Sequence, residues 1–171
     1  MCIRDSGGGI GYLVSTSDQV NQATTAPVVG ERTFSSLGRN HVTTDVSYPM
    51  TPPAGGDHHP VWQSCDGEVY DKALADENAV HSLEHGAVWV TYTNKAKASD
   101  IEALGDRISK TPYTLMSPNP GQSSPISLTA WGHQLNLTDA SDSRVTEFLD
   151  KYVQGPQTPE PGASCSEGKA S

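Results

Sequence analysis

Apolar side chains recur with two different periods along the second half of the chain, and each period predicts a type of secondary structure. Residues 87–93 place Val and Tyr at every second position, which is typical of a β-strand. Residues 145–152 place apolar side chains at i, i+3, i+4 and i+7, which predicts an amphipathic helix. Together with capping signals, the pattern predicts a helix over 76–85, a strand over 87–93, a helix over 99–108, strands over 113–117, 126–131 and 134–137, and a helix over 145–152.

The order of these elements indicates the fold class. Strands and helices interleave, but one link between consecutive strands is short enough for a hairpin. A chain of 171 residues is also long enough for one domain with a proper core. We therefore expect a single α+β domain with a mixed β-sheet and helices mainly on one face.

A long segment without periodicity precedes the first predicted helix. Residues 39–67 are rich in His, Pro and Gly, and the part from 48 to 57 cannot form a helix because Pro removes backbone donors and Gly breaks propagation. Long ordered loops are usually functional. We expect this His/Pro/Gly-rich loop to contribute to a site.

The two ends of the chain differ in composition from the domain between them. Residues 1–6 back-translate to the end of a transposon adapter used in sequencing libraries, so we interpret them as an artefact and expect the natural start to be missing. Residues 7–14 are apolar and Gly-rich, and we interpret them as the outer remnant of a transmembrane segment. We expect the rest to divide into a linker at 15–38 with one short strand near 28–29, an extracytoplasmic domain at 39–165, and a tail that is loosely held from 155 and disordered at 166–171.

The formal net charge of −9 restricts the partners. An acidic surface without a Lys/Arg cluster repels phosphate backbones, so nucleic acid is not expected as a partner, and an anionic membrane surface is disfavoured. An alternative explanation is that the negative charge serves only to keep the domain soluble. The membrane contact that we expect is through the missing N-terminal anchor, with the domain on the extracytoplasmic side of a single-pass protein.

The chain contains three cysteines, Cys2, Cys65 and Cys165, and none of them lies in a CxxC motif. This excludes a zinc ribbon and a thioredoxin-type site. With Cys2 set aside as part of the adapter, the remaining two are the number that one disulfide needs. In an oxidising external compartment we expect a Cys65–Cys165 bridge that closes a loop of about 100 residues.

The candidate chemistry lies in the histidines. His81 and His85 are four residues apart on a predicted helix, so their rings project from one face, and Glu84 lies beside them. Two imidazoles at this spacing form half of a transition-metal site, which a loop histidine such as His58 can complete. The spacing therefore predicts a metal site at the end of this helix, with Glu84 either as a ligand or as an acceptor that orients a histidine.

The same residues match the HxxEH pattern of inverted zinc peptidases, but that class needs a further Glu ligand on a matching helix. The helix is expected to end at Gly86, and only Glu147 is a candidate for the distant ligand, so this interpretation is disfavoured. GxSxG, P-loop and GxGxxG motifs are absent from the sequence. Together these observations favour binding over catalysis.

Several motifs in the chain resemble the bacterial domain-of-unknown-function 3105 family over roughly residues 38–165. The most specific is VHSLEHGA at 80–87, and the flanking motifs lie at 40–42, 48–58, 60–65, 129–132 and 156–162. The resemblance implies an N-terminal transmembrane segment followed by an external domain of unestablished function. It also implies that the motif positions are His41, His58, His81, Glu84 and His85.

Three hypotheses follow for the function. The leading one is an external domain that binds copper or, next, zinc, with Met50 or Met116 available as a thioether ligand for Cu(I). The second is a metal-dependent hydrolase of the cell envelope with Glu84 as the base. The third is a protein-interaction module without metal, whose histidines only form hydrogen bonds.

Overall fold

The computed structural model describes residues 26–170 of the chain. The interpretations of residues 1–6 as an adapter artefact and 7–14 as a transmembrane remnant lie outside these residues, as does the first part of the predicted linker. Within 26–170, none of the helices has the length and apolar character needed to cross a membrane.

In the described part of the chain, six strands form one mixed sheet with three helices packed on its two sides, which confirms the predicted α+β class. The sheet order is β1-β6-β5-β3-β4-β2. The pairs β3–β4 and β4–β2 are parallel, and the other neighbours are antiparallel. The elements are β1 Arg32–Thr33, β2 Asp66–Val69, α1 Asp76–Glu84, β3 Val88–Tyr92, α2 Ala98–Ile108, β4 Thr114–Pro118, β5 Ile126–Ala130, β6 His133–Leu137 and α3 Arg144–Tyr152.

Each face of the sheet has its own hydrophobic core. On one face, α2 and α3 pack against alternate strand residues such as Val90 and Met116. On the other face, α1 packs through Val80 and Leu83 against a cluster that includes Trp89. Two of the three helices thus share a face, as expected, while α1 lies alone on the opposite face, together with the His/Pro/Gly-rich loop.

The helix α1 ends in a Schellman motif, as the position of Gly86 suggested. Gly86 has φ +98° and donates its N–H to the carbonyl of Leu83, and the N–H of Ala87 reaches the carbonyl of Ser82. His85 is the C-cap residue, so the helix ends one residue earlier than predicted. The chain therefore passes from α1 into β3 within three residues, which places the histidines at the edge of the core.

The start of α2 differs from the sequence prediction. Ser99 and Glu102 have the spacing of a capping box, which predicts a start at Ser99. The helix instead begins at Ala98 with Lys97 as its N-cap and without a side-chain cap. The apolar stripe is nevertheless as predicted, because Leu104 and Ile108 are buried in the core.

Part of the predicted linker belongs to the domain. The expected strand near 28–29 lies instead at Arg32–Thr33, where it pairs with β6 as an edge strand. Glu31 fixes this segment, since its buried carboxylate accepts hydrogen bonds from the Tyr152 hydroxyl at 2.7 and 2.8 Å. The linker prediction for 15–38 therefore fails for residues from about 28 onward.

The C-terminal segment also belongs to the domain. The backbone of Lys169 forms hydrogen bonds with the backbones of Trp62 and Ser64 in the His/Pro/Gly-rich loop, and Cys65 donates its N–H to the carbonyl of Cys165. The expectation of a loosely held and disordered tail thus differs from the structure through residue 170, while Ser171 lies outside the described residues. Pairing with the loop before β2 supplies the order that the composition of the tail did not indicate.

The predicted disulfide between Cys65 and Cys165 is present. Their Cα atoms are 4.7 Å apart and the bridge joins residues separated by 100 positions. Both cysteines are buried beside the Trp89 cluster. The bridge fastens the C-terminal segment to the loop on the same face of the sheet as α1.

Two Gly→Ala substitutions are expected to change the stability in opposite directions, one at Gly86, where other atoms approach closely, and one at Gly105, where they do not. A Cβ at position 86 would meet the Thr158 side chain at 3.0 Å and the Gln154 backbone at 3.2 Å, with φ already at +98°. We expect Gly86→Ala to lower the free energy of unfolding by ~1–3 kcal/mol. Gly105→Ala, in the middle of α2 with its nearest neighbour at 3.8 Å, should raise it by roughly 0.5–1 kcal/mol.

Urea unfolding of the two variants beside the wild type measures both effects. The same sign of change in both variants would contradict the prediction.

Candidate metal centre

The helix α1 presents His81 and His85 from one side while its other side is held in the core. Ala79, Val80 and Leu83 are fully buried against the sheet. The rings of His81 and His85 have centroids 4.6 Å apart, as expected for positions one turn apart. The predicted half-site is therefore formed by α1.

The His/Pro/Gly-rich loop brings two further histidines to this pair. Its two arms pair at an isolated bridge: His58 donates its N–H to the carbonyl of Asn40, and Val42 donates to the carbonyl of His58. The bridge places His41 opposite His58. The ring centroids of His41, His58 and His81 are then 4.8 to 5.0 Å from one another.

The loop is held along α1 by backbone and side-chain bonds. Ser82 donates its hydroxyl to the carbonyl of Gln63 at 2.6 Å, and Asn78 donates its amide to the carbonyl of Val61 at 2.6 Å. The N–H of His59 reaches the carbonyl of Glu77. These contacts replace regular secondary structure as the source of order in the loop.

Backbone carbonyls orient three of the imidazoles. The Nδ1 atoms of His58, His81 and His85 lie 2.7 to 2.8 Å from the carbonyl oxygens of Gly56, His59 and Ser164. A carbonyl can only accept, so each Nδ1 carries a proton, and in the neutral imidazole each Nε2 then keeps its lone pair. Such bonds fix ring orientation and tautomer in metal-binding histidines.

Glu84 lies at the centre of the cluster, with one carboxylate oxygen bonded to Arg39 and the other facing the imidazoles. Its Oε1 accepts a bond from Arg39 Nε at 2.8 Å, and its Oε2 lies 2.8 Å from His58 Nε2 and 3.8 Å from His41 Nε2. With His58 neutral and protonated on Nδ1, His58 Nε2 and Glu84 Oε2 are two buried acceptors that face each other without a hydrogen bond. Buried polar atoms are rarely left in this state. A proton shared by the two atoms, or a metal ion bound to both, would satisfy them.

The electrostatics favour a neutral His81 and an ionised Glu84. Burial, with the neighbouring imidazoles, lowers the pKa of His81 to about 4, despite the bond to His59. Burial acts to raise the pKa of Glu84, but the Arg39 hydrogen bond and the imidazoles outweigh it and lower that pKa. The cluster therefore holds a lone pair and a negative charge ready for a cation.

Four of the five predicted metal-site residues come together. The ligand atoms of His41, His58, His81 and Glu84 all lie within 4.8 Å of one another; we call these residues the inner group. The fifth, His85, lies in a neighbouring group with His81 and Glu160, which we call the outer group.

Sequence reasoning did not select Glu160. It lies within one of the family-like motifs, at 156–162, and is the only acidic residue between Tyr152 and Cys165. Its N–H bonds to the carbonyl of Glu84, so the segment after α3 crosses the end of α1. The position of Glu160 depends on this crossing, which no local pattern indicates.

Two other candidate residues have different roles. Met116 is fully buried in the core on the α2–α3 face of the sheet, so it does not supply a thioether to the histidines on the α1 face. His59 contributes its carbonyl to His81, while its ring accepts the N–H of Val61. The ligand set of the inner group is thus nitrogen and oxygen.

The tryptophans are mainly packing residues. Trp89 and Trp131 are buried in the core on the α1 face. Trp62 packs at the cluster itself, with its ring centroid 5.0 Å from that of His85. It shields one side of the outer group from solvent.

Comparisons with known proteins agree with the resemblance in the motifs. A family model described as a protein of unknown function, DUF3105, matches residues 41–167, which include every residue of both groups. Neither the curated proteins nor the solved structures contain a match. The chain therefore belongs to the DUF3105 family.

Proposed function

We propose that this domain binds one transition-metal ion through the inner group, His41, His58, His81 and Glu84. The observation that carries the proposal is the buried pair His58 Nε2 and Glu84 Oε2, which lie 2.8 Å apart and, with His58 neutral, are two facing acceptors. A metal ion accepts a lone pair from each, and His81 Nε2 adds a third donor. Three imidazoles and one carboxylate make a four-ligand set of the type that copper and zinc use.

The donor set narrows the choice of metal. Imidazole and carboxylate suit Zn(II) and Cu(II), whereas Cu(I) is selected by thioether or thiolate sulfur. Met116 faces the opposite core, and Cys65 and Cys165 are joined to each other. We therefore propose Cu(II) or Zn(II) as the ion; Cu(I) would need the thioether of Met50 as an additional ligand.

The position of Glu84 favours binding over the hydrolase alternative. A general base needs a free lone pair directed at a water molecule. One oxygen of Glu84 is held by Arg39 and the other faces His58, and its side chain is 2% exposed. These contacts support Glu84 as a ligand rather than as a base.

We also propose that the domain works outside the cytoplasm. The Cys65–Cys165 disulfide supports this location, because such bridges persist in oxidising compartments and are rare in the cytosol. Attachment to the membrane by a segment that precedes the domain remains part of the same proposal. Fractionation of cells that produce the protein tests it: recovery in the cytosol with reduced cysteines would contradict it.

Two adjacent histidines provide a matched test of the metal proposal. We expect the purified chain to bind one equivalent of Zn(II) or Cu(II), and His58→Ala to weaken binding by ~100-fold or more because it removes a buried donor. His59→Ala should bind as the wild type does, since its ring lies outside both groups. Isothermal titration of metal-stripped protein, with elemental analysis of the protein as purified, measures these affinities.

Comparison of His58→Ala with His59→Ala also distinguishes a specific site from nonspecific metal binding by a histidine-rich loop. If the two variants lose affinity equally, or if the wild type binds neither metal, the metal proposal is wrong and the interaction module remains.

A further inference from the structure

The outer group lies beside the inner one and shares one residue with it. His85 Nε2 is 3.7 Å from Glu160 Oε2, and the ligand atoms of both lie within 4.8 Å of His81. His85 is 4% exposed, and its Nδ1 bond to Ser164 leaves the Nε2 lone pair directed into the group. The outer group thus offers two imidazole nitrogens and one carboxylate oxygen.

His81 can serve only one ion at a time. Its Nδ1 is engaged with the carbonyl of His59, so Nε2 carries its single available lone pair. A neutral imidazole nitrogen donates that lone pair to one metal. The inner and outer groups therefore cannot both be complete at once, and an ion that moves between them keeps His81 as a ligand throughout.

The two groups differ in the number of donors, and each reaches solvent through one member. The inner group has four donors, of which His58, His81 and Glu84 are buried and the His41 side chain is 47% exposed. The outer group has three donors and ends at Glu160, whose side chain is 43% exposed. An ion should therefore reside in the inner group and occupy the outer group only in passing.

Arg39 prepares both carboxylates for this arrangement. It contacts Glu84 Oε1 at 2.8 Å and Glu160 Oε1 at 3.8 Å, and the Oε2 atom of each carboxylate faces the imidazoles. The Arg39 guanidinium thus contacts one oxygen of each carboxylate, and the other oxygen of each remains available to a cation.

We propose that the outer group is a second cation position through which a metal ion enters and leaves the inner group by exchange at His81. The inference rests on the proposed function, because it needs an ion in the inner group. Arrival at His85 and Glu160 comes first, His81 then joins, and the donors of His41, His58 and Glu84 replace those of the outer group. No bond other than metal–ligand bonds is made or broken.

The test is kinetic. An ion passes through the outer group but does not stay there. Substitutions in the outer group should therefore change the rates of loading and release by the same factor and leave the equilibrium affinity unchanged. For His85→Ala and Glu160→Gln we expect both rates to fall by about tenfold while the Kd of Zn(II) stays within about threefold of wild type. Stopped-flow transfer of Zn(II) between the full chain and a chromophoric chelator gives the rates, and competition with the same chelator gives the Kd. Glu167→Gln, an equal change of charge at an exposed position on the same segment, should exchange as the wild type does.

The possible failures are distinct. A Kd weakened in His85→Ala as much as in His58→Ala would mean that all five residues form one site, which overturns the inference and keeps the proposed function. Unchanged exchange rates in both variants would also overturn it. A wild-type chain that binds no Zn(II) would overturn the proposed function itself.

Discussion

Removal of the disulfide between Cys65 and Cys165 is expected to lower the free energy of unfolding by ~4–5 kcal/mol, the value that the chain-entropy model assigns to a loop of about 100 residues. The bridge joins residues 100 positions apart and both cysteines are buried. A loss of this size is a large part of the stability of a small domain. The Cys65→Ala/Cys165→Ala double variant avoids free thiols, and urea unfolding of this variant beside the wild type measures the change.

Removal of the bridge should also affect the outer group. The bridge fastens the segment that contains Glu160 and Ser164, and Ser164 orients His85. We therefore expect metal exchange to become slower in the double variant under conditions in which it is still folded. Wild type treated with a phosphine reductant serves as the control and should behave as the double variant does. A loss below ~1 kcal/mol in both would show that the paired backbone of residues 62–65 and 165–169 holds the segment without the bridge.

Much of the fold could be predicted because most of its elements carry local signals. The helices α1 and α3 and the strands β3, β5 and β6 were placed within two residues by apolar periodicity together with capping signals. The strand β2, Asp66–Val69, was missed, since its sequence DGEV lacks an alternating pattern and it lies at the edge of the sheet beside β4. The two-residue strand β1 is likewise defined by its pairing with β6 and by the anchor at Glu31, which are long-range contacts.

The order of the C-terminal segment shows the limit of composition as a guide. Residues 155–170 are rich in Pro, Gly and Ser, which favours loose structure in isolation. Here the backbone of the segment pairs with the loop before β2, and Tyr113 donates its hydroxyl to the carbonyl of Ala163. These partners are distant in the sequence, so no local pattern could indicate them.

The site was predictable to the extent that it is local. The spacing of His81 and His85 at the end of α1 followed from helix geometry, which also indicated Glu84; His58 was proposed from the adjacent loop, and the family resemblance added His41. The division into two groups could not be predicted. It depends on which backbone carbonyl each Nδ1 contacts and on the return of the chain past the end of α1, which places Glu160 beside His85.

The substitution Glu84→Gln should separate metal binding from stability. The new amide side chain keeps the shape of the old one and can accept the Arg39 bond with its oxygen, while its NH₂ group donates to His58 Nε2, the atom that lies 2.8 Å from Glu84 Oε2 in the wild type. The two facing acceptors of the metal-free protein then become a hydrogen bond. We expect the metal-free free energy of unfolding to stay within ~1 kcal/mol of wild type. The affinity for Zn(II) or Cu(II) should fall by ~100-fold or more, because an amide is a poor substitute for a carboxylate ligand.

The opposite outcome identifies the interaction module. If the cluster only holds the loop through an ion pair between protonated His58 and Glu84, Glu84→Gln removes one partner of a buried charge pair and should cost ~3–5 kcal/mol. Any weak metal binding would then be unchanged. Chemical denaturation in the presence of a chelator gives the first quantity and calorimetric titration gives the second. Asp57→Asn is the matched control: this carboxylate accepts bonds from Asn40 outside both groups, so its replacement should leave the metal affinity as it is in the wild type.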